Sequence, residues 1–232
     1  MEKNKIVLIL VFLTTILYSS HSFSQIQIGT DVYSRYIWRG MDIGNSPSFQ
    51  PAITFTAGGF SIGAWGAYSF AGISSVYSEN DLLTSYSVKT DFGIFTLSYT
   101  DYYFPSAGLK LFNYKNDGKG AHTLEAGIGY IGTKSFPLSF SGYINFYNDP
   151  DNSSYFEIDY PFSVNNVDIS LFVGASGGNS AVYSTNKFSV INTGITFSKE
   201  IPVTGKFSLP IHVSYIVNPN QEQSYLIIGL SL

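Results

Sequence analysis

Residues 26–40, IQIGTDVYSRYIWRG, carry two chemistries at a spacing of two, and this limits what the chain can become. In an extended strand Ile26, Ile28, Thr30, Val32, Tyr36 and Trp38 share one side, while Asp31, Tyr33, Arg35 and Arg39 share the other. A strand with one apolar and one charged side needs two different surroundings. Tyr36 and Trp38 lie toward one end of the apolar side, where an aromatic girdle at a membrane interface would sit, and the charges then turn toward a wet interior.

The same alternation recurs along the chain. After 26–40 it marks strands over 48–57, 60–70, 81–90, 93–103, 123–130, 138–147, 155–162, 167–176, 189–198, 206–217 and 224–232. In 155–162, for instance, Phe156, Ile158, Tyr160 and Phe162 oppose Glu157 and Asp159. The connections alternate between longer and generally shorter ones. That rhythm predicts an all-β fold: a closed antiparallel transmembrane β-barrel of twelve strands, ten or fourteen being drawable with modest redrawing, with short periplasmic turns and longer outer loops.

Composition argues the same way. Charged residues make up 12% and aromatics 17%, too few charges for an ordinary soluble surface. Beyond the first residues no long apolar run could cross a bilayer as a helix, so membrane contact would have to come from strands. Residues 1–24 read as a secretory leader: Lys3 and Lys5, an apolar run over 6–17, then small Ser22 and Ser24 before a cut at Gln25. Residues 25–232 then form a single barrel domain. The leader carries Glu2, Lys3 and Lys5, so the formal charge of −4 becomes −5 in the mature chain. Nothing here forms a basic surface for nucleic acid, and without cysteine there is no disulfide framework or lipid anchor.

The candidate site residues are those expected in the lumen. Arg35 and Arg39 form a cationic constriction facing Asp81, Glu125, Glu157 or Asp159, with Asp31 beside them, a transverse field that orients polar solutes. The competing expectation is that these charges pair and plug a narrow barrel, because small lumens are filled by side chains. Tyr33, Trp65, Tyr143, Tyr147 and Tyr155 point inward by parity; Tyr36, Trp38, Tyr160 and Tyr215 are expected in the girdle. For catalysis only His122, at a loop end, and His212, in the lumen, remain after export. No nucleophile elbow or metal-ligand spacing accompanies them, so no enzyme, cofactor or metal is expected. Asp149 and Asp151 in NDPDN could hold Ca²⁺ but read better as solvated turn residues.

Ser34, Tyr36, Trp38, Arg39 and Gly40, followed by Gly59, Phe60, Gly63, Trp65 and Gly66, resemble the opening signature of the TorF-like porin family. Residues 102–105, Tyr-Tyr-Phe-Pro, are similar to that family's aromatic run, with Ser106 where glycine is usual. Glu125, Gly127, Tyr130, Asp159, Tyr160 and Pro161 also look like its pattern. The resemblance implies an outer-membrane barrel and channel with no catalytic residues to carry over. The expected function is passive diffusion of small polar solutes across a bacterial outer membrane. Its partners would be membrane lipid, the barrel-assembly machinery during insertion, and the solutes themselves. A plugged barrel acting as adhesin, receptor or scaffold through its outer loops is the alternative, and a lipid-modifying barrel enzyme a more distant one.

Overall fold

The computed structural model describes residues 24–70 and 77–232. The expected leader lies outside them but for Ser24, as do residues 71–76 of the second long connection. Twelve strands form the wall: β1 (Gln25–Tyr33), β2 (Ser48–Ala57), β3 (Phe60–Ser69), β4 (Ser78–Thr90), β5 (Gly93–Tyr103), β6 (His122–Thr133), β7 (Phe136–Tyr147), β8 (Ser154–Val164), β9 (Val167–Ser176), β10 (Ser189–Thr204), β11 (Phe207–Asn218) and β12 (Gln223–Ser231). Each pairs antiparallel with its neighbours in sequence, and β1 pairs with β12, so the sheet closes on itself. Closure satisfies ladder groups that an open edge would leave bare.

At one end every connection is a two-residue turn, at 58–59, 91–92, 134–135, 165–166 and 205–206. Asn165 and Asn166, with φ of 49° and 61°, have the left-handed backbone that a tight hairpin between twisted strands requires. At the other end lie the long connections, over 34–47, 70–77, 104–121, 148–153, 177–188 and 219–222. The short turns are tighter than the sequence implies, because β6, β7, β8 and β10 run past their apolar alternation.

The alternation sorts side chains as expected. Phe55 and Ile158 are 39% and 48% exposed on the outer wall, so no second sheet packs on them and a sandwich is excluded. Tyr160 and Tyr215 also lie on the outer wall. Glu125, Asn145 and Tyr155 are buried inside. The weakest seam is the closing one: β1 and β12 share three ladder pairs, Asp31 with Ser231, Val32 with Leu230 and Tyr33 with Gly229.

Two expectations fail for identifiable reasons. The first strand ends at Tyr33, not Gly40, and the chain bends at Ser34 and Arg35. It then makes a small hairpin, Ile37–Trp38 against Met41–Asp42, turning on Arg39 (φ 50°) and Gly40 (φ 79°). A two-residue turn preserves the alternation, so periodicity alone cannot tell one long strand from a strand plus hairpin. The second failure is Tyr147, expected inward. The β6–β7 register shifts between Leu124 and Glu125, so Tyr147 pairs with outward Leu124. Its hydroxyl donates to the Tyr114 carbonyl, 2.5 Å away, on the outside.

Candidate functional site

The hairpin at 37–42 folds into the lumen from the long-loop rim and carries Arg39 to its centre. Gly40 follows in the left-handed region, and a Cβ there would lie 1.9 Å from the Ile191 carbonyl oxygen, so only glycine fits the turn against β10. The Gly40 carbonyl accepts from Asn218 Nδ2 at 3.0 Å, which fixes the tip to β11.

Arg39 makes a two-pronged pair with Glu125 of β6. Nη1 donates to Oε2 at 2.5 Å and Nη2 to Oε1 at 2.9 Å. Both side chains are buried, at 10% and 3% exposure, so each needs the other. Tyr102 of β5 donates to Glu125 Oε1 at 2.9 Å, and Arg39 Nη1 donates to the Tyr183 hydroxyl oxygen at 2.5 Å. Burial pushes the Tyr183 hydroxyl up to about 12 although Arg39 beside it pulls the other way, so it stays neutral. The guanidinium carbon also lies 4.5, 4.2 and 4.8 Å from the ring centres of Trp38, Tyr143 and Tyr155. A guanidinium is stabilised by such rings when water is excluded. Gly174 opposite leaves the room: a Cβ there would lie 2.0 Å from the Tyr155 hydroxyl.

The segment 177–188 closes the plug from the other side. Trp38 stacks on Tyr183 with centroids 5.7 Å apart. Ser180 anchors this segment, its hydroxyl donating to Ser153 Oγ at 2.7 Å and accepting the Tyr183 amide at 2.9 Å. Asp151 accepts from Asn179 Nδ2 at 2.7 Å and from the Ala181 amide at 2.8 Å. Asp149 accepts from Asn145 Nδ2 and from the amides of Asp151 and Ser153. These carboxylates therefore hold loops together, and no group of three or more acidic or histidine side chains among the described residues is placed to hold a metal ion.

The expected constriction is thus only partly assembled. Arg39 and Glu125 meet. Arg35 does not join them: it pairs with Asp42 at 2.5 Å, with 40% of its side chain exposed, beside the base of the hairpin. Glu157 accepts from Asn192 Nδ2 at 2.8 Å and from the Tyr155 hydroxyl, and Asp159 stands in the β8 ladder between Ser139 and Phe172. Asp31 is half-buried between Gln50 and Ser231 in the ladder. Asp81 sits on the lumen face of β4, opposite Tyr102. Tyr33 covers Gly229, Trp65 meets Tyr36 edge-on at 5.6 Å, and Tyr143 lies under Arg39, all inside as expected. Tyr36 and Trp38 are corrected: they belong to the plug rather than the girdle, because the hairpin carries them inward.

Below the plug, toward the short turns, the lumen changes character. Cross-strand hydroxyl pairs line it, including Thr56 with Ser61 at 3.0 Å, Ser87 with Thr96 at 2.8 Å and Thr196 with Ser214 at 2.8 Å. A cavity of about 170 Å³ lies among Thr54, Ser61, Ser85, Ser98 and Thr100. His212 stands here between Ser198 Oγ, 2.9 Å from Nδ1, and Ser231 Oγ, 3.1 Å from Nε2. A serine stands at each ring nitrogen, where a hydrolytic triad would place a carboxylate at one of them.

Sequence reasoning missed Glu79, Asn192 and Tyr183 as site residues and put Asn145 only on the inner face of its strand. Glu79 lies two residues before Asp81 and so on the same face, a signal lost because β4 starts earlier than its apolar alternation. Tyr183 gave no signal, since nothing local announces that a loop folds inward, and Asn192 sits in β10 beside a register shift that the alternation does not announce. No protein-family model matches the chain, and no curated protein shows significant similarity to it.

Proposed function

We propose that the barrel sits in a bacterial outer membrane and conducts small polar solutes when the 34–47 segment is displaced from its lumen. Support for the membrane comes from the outer wall, where Leu82, Leu97, Ile128, Phe156 and Leu226 are each more than half exposed, an arrangement favourable only against hydrocarbon. The observation that carries the pore is the contrast inside. Hydroxyl pairs line the lumen on the short-turn side of a plug that one arginine fixes in place. Strands would leave this passage permanently; a hairpin can leave it reversibly. The residues resembling the TorF-like porins include Tyr36, Trp38, Arg39, Gly40, Trp65, Tyr102 and Glu125, which are plug residues or their contacts, and assignment to that family is part of the proposal.

A second reading, a closed barrel acting through its outer loops, is favoured by the depth of the Arg39–Glu125 pair. Planar-bilayer recording separates the two. For a gated pore, wild type gives rare brief openings and Arg39→Gln gives long discrete ones. Silence from both proteins, with folded barrels verified by heat-dependent gel mobility, selects the closed barrel.

A further inference from the structure

At the long-loop rim, beside the plug and separate from the hydroxyl-lined channel, lies a cavity of about 180 Å³. At roughly 30 Å³ per water this is space for about six waters. Its walls are aromatic. Tyr36 and Tyr77 lie 6.2 Å apart at a tilt of 56°, Tyr77 and Phe104 lie 6.2 Å apart at 54°, and Trp38 meets Tyr102 at 5.9 Å. Met41, Ile43 and Val182 add apolar surface.

Beside the Trp38 indole N–H and the hydroxyls of Tyr36, Tyr77, Tyr102 and Thr123, the cage wall carries two buried acceptors, Glu79 and Asn145. Glu79, 3% exposed, lines it and accepts a hydrogen bond from the Tyr77 hydroxyl at 2.8 Å. Asn145, also 3% exposed, donates its Nδ2 protons toward Asp149, which leaves Oδ1 with no partner in a buried wall of the cavity. Two residues along β4 from Glu79, Asp81 is 5% exposed and its Oδ1 also lacks a partner. Among the described residues the buried cation on this side of the lumen is Arg39, and both terminal nitrogens of its guanidinium are committed to Glu125. Buried acceptors without donors are costly, and buried carboxylates call for a positive partner.

We infer that this cavity binds a small organic ammonium ion. Its alkyl body packs against the faces of Tyr36, Trp38, Tyr77 and Tyr102, and its N–H groups reach the Glu79 carboxylate and Asn145 Oδ1. Aromatic faces attract a cation through the ring quadrupole, and a carboxylate at the cage floor supplies the charge. The unpartnered amide oxygen selects an ammonium with protons to donate over a quaternary one. A bare alkali ion would gain little from the apolar walls, and a neutral molecule would leave the carboxylate uncompensated. This site does not depend on the barrel conducting.

The chain has two tryptophans, and Trp38 lines the cage. In Trp65→Phe, Trp38 reports alone. The full mature barrel in detergent is titrated with n-propylammonium chloride, with potassium chloride and n-propanol as controls. A saturable change in Trp38 emission is expected with propylammonium only, weakened at least tenfold by Glu79→Gln and about three- to tenfold by Phe104→Leu, which thins a wall without touching the carboxylate. Equal response to potassium makes the site a plain acidic cluster, and equal response to n-propanol makes it an apolar hole. Either result, no response at all, or unchanged affinity in both folded variants, overturns the assignment. Because the readout needs no bilayer, its failure is distinct from failure of the pore.

Discussion

Segments 34–47 and 104–121 leave the same rim of the barrel in opposite directions, one into the lumen and the other over the outer wall. The inner one is held by Arg39 on Glu125. The outer one is held at Asp101 and His122, whose ladder partners Leu82 and Tyr103 mark them as outward-facing. His122 Nδ1 lies 2.7 Å from Asp101 Oδ1 and its Nε2 lies 2.5 Å from the Leu111 carbonyl. Tyr103 and Tyr114 sandwich the imidazole at 5.2 and 4.0 Å. Leu109, Leu111 and Phe112 then stand exposed on the outside of the flap. β5 and β6 thus carry both anchors, Tyr102 and Glu125 on the inner face, Asp101 and His122 on the outer. Parity decides the side. The chemistry is shared: a carboxylate held by a nitrogen donor under aromatic cover, where burial leaves little water to solvate it.

Removing one partner of the inner anchor has the largest expected effect. Glu125→Gln leaves Arg39 buried without its carboxylate and is expected to cost about 3–5 kcal/mol, read as a lower urea midpoint for the detergent-folded barrel. Adding Arg39→Met to that variant recovers much of the loss, since the orphaned charge is gone. If Glu125→Gln unfolds at the wild-type midpoint, the plug is not held by this pair.

The outer anchor is weaker in one respect, because its segment is solvent-exposed over most of its length. Asp101→Asn is expected to cost about 1–3 kcal/mol, the penalty for weakening a buried charged hydrogen bond. It should quicken tryptic cleavage at exposed Lys110, Lys115 and Lys119 while leaving single-channel conductance unchanged. A change in conductance would mean that the flap communicates with the lumen, and the comparison between the two segments would fail.

Acid sharpens the contrast by testing the loop that buttresses the inner side. Burial alone would push the Asp149 carboxyl up, but hydrogen bonds from Ser153, Asn145 and the amides of Ser153 and Asp151 outweigh it and hold it below the ordinary aspartate range. A lowered native value means fewer protons bound than in the unfolded chain. Its contribution is therefore complete above the unfolded value of about 3.9 and fades as pH falls through the lower native one. Protection of the Asp151 and Ser153 amides against hydrogen exchange, corrected for the intrinsic pH dependence, should fall below about pH 4 in wild type, and Asp149→Asn should lose that change.

Much of the wall was legible in the sequence because the barrel rule is local: alternate residues face alternate solvents, and Phe156, Ile158 and Tyr160 need no distant partner to declare their side. Glu125 and Tyr143 were placed inside by the same rule. The plug was not legible. Tyr36 and Trp38 keep the alternation of a strand through a two-residue turn, and only contacts 86 and 144 residues away, to Glu125 and Tyr183, distinguish an inserted hairpin from a longer strand. Asp101 and His122 were equally opaque, because a charged pair on an outer wall makes sense only once the flap that covers it is known.

The smallest expected effect concerns the other arginine, which the alternation treats as equivalent to Arg39. Arg35 pairs with Asp42 at 2.5 Å but keeps 40% of its side chain exposed, against 10% for Arg39. Water screens such a pair and solvates either partner left alone, so Arg35→Gln is expected to cost about 0–1 kcal/mol, fading as salt is raised. The same substitution at Arg39 abandons a buried carboxylate. Two arginines four residues apart should therefore differ several-fold in cost, and equal urea midpoints for Arg35→Gln and Arg39→Gln would show that burial in the lumen, rather than pairing as such, had been misjudged.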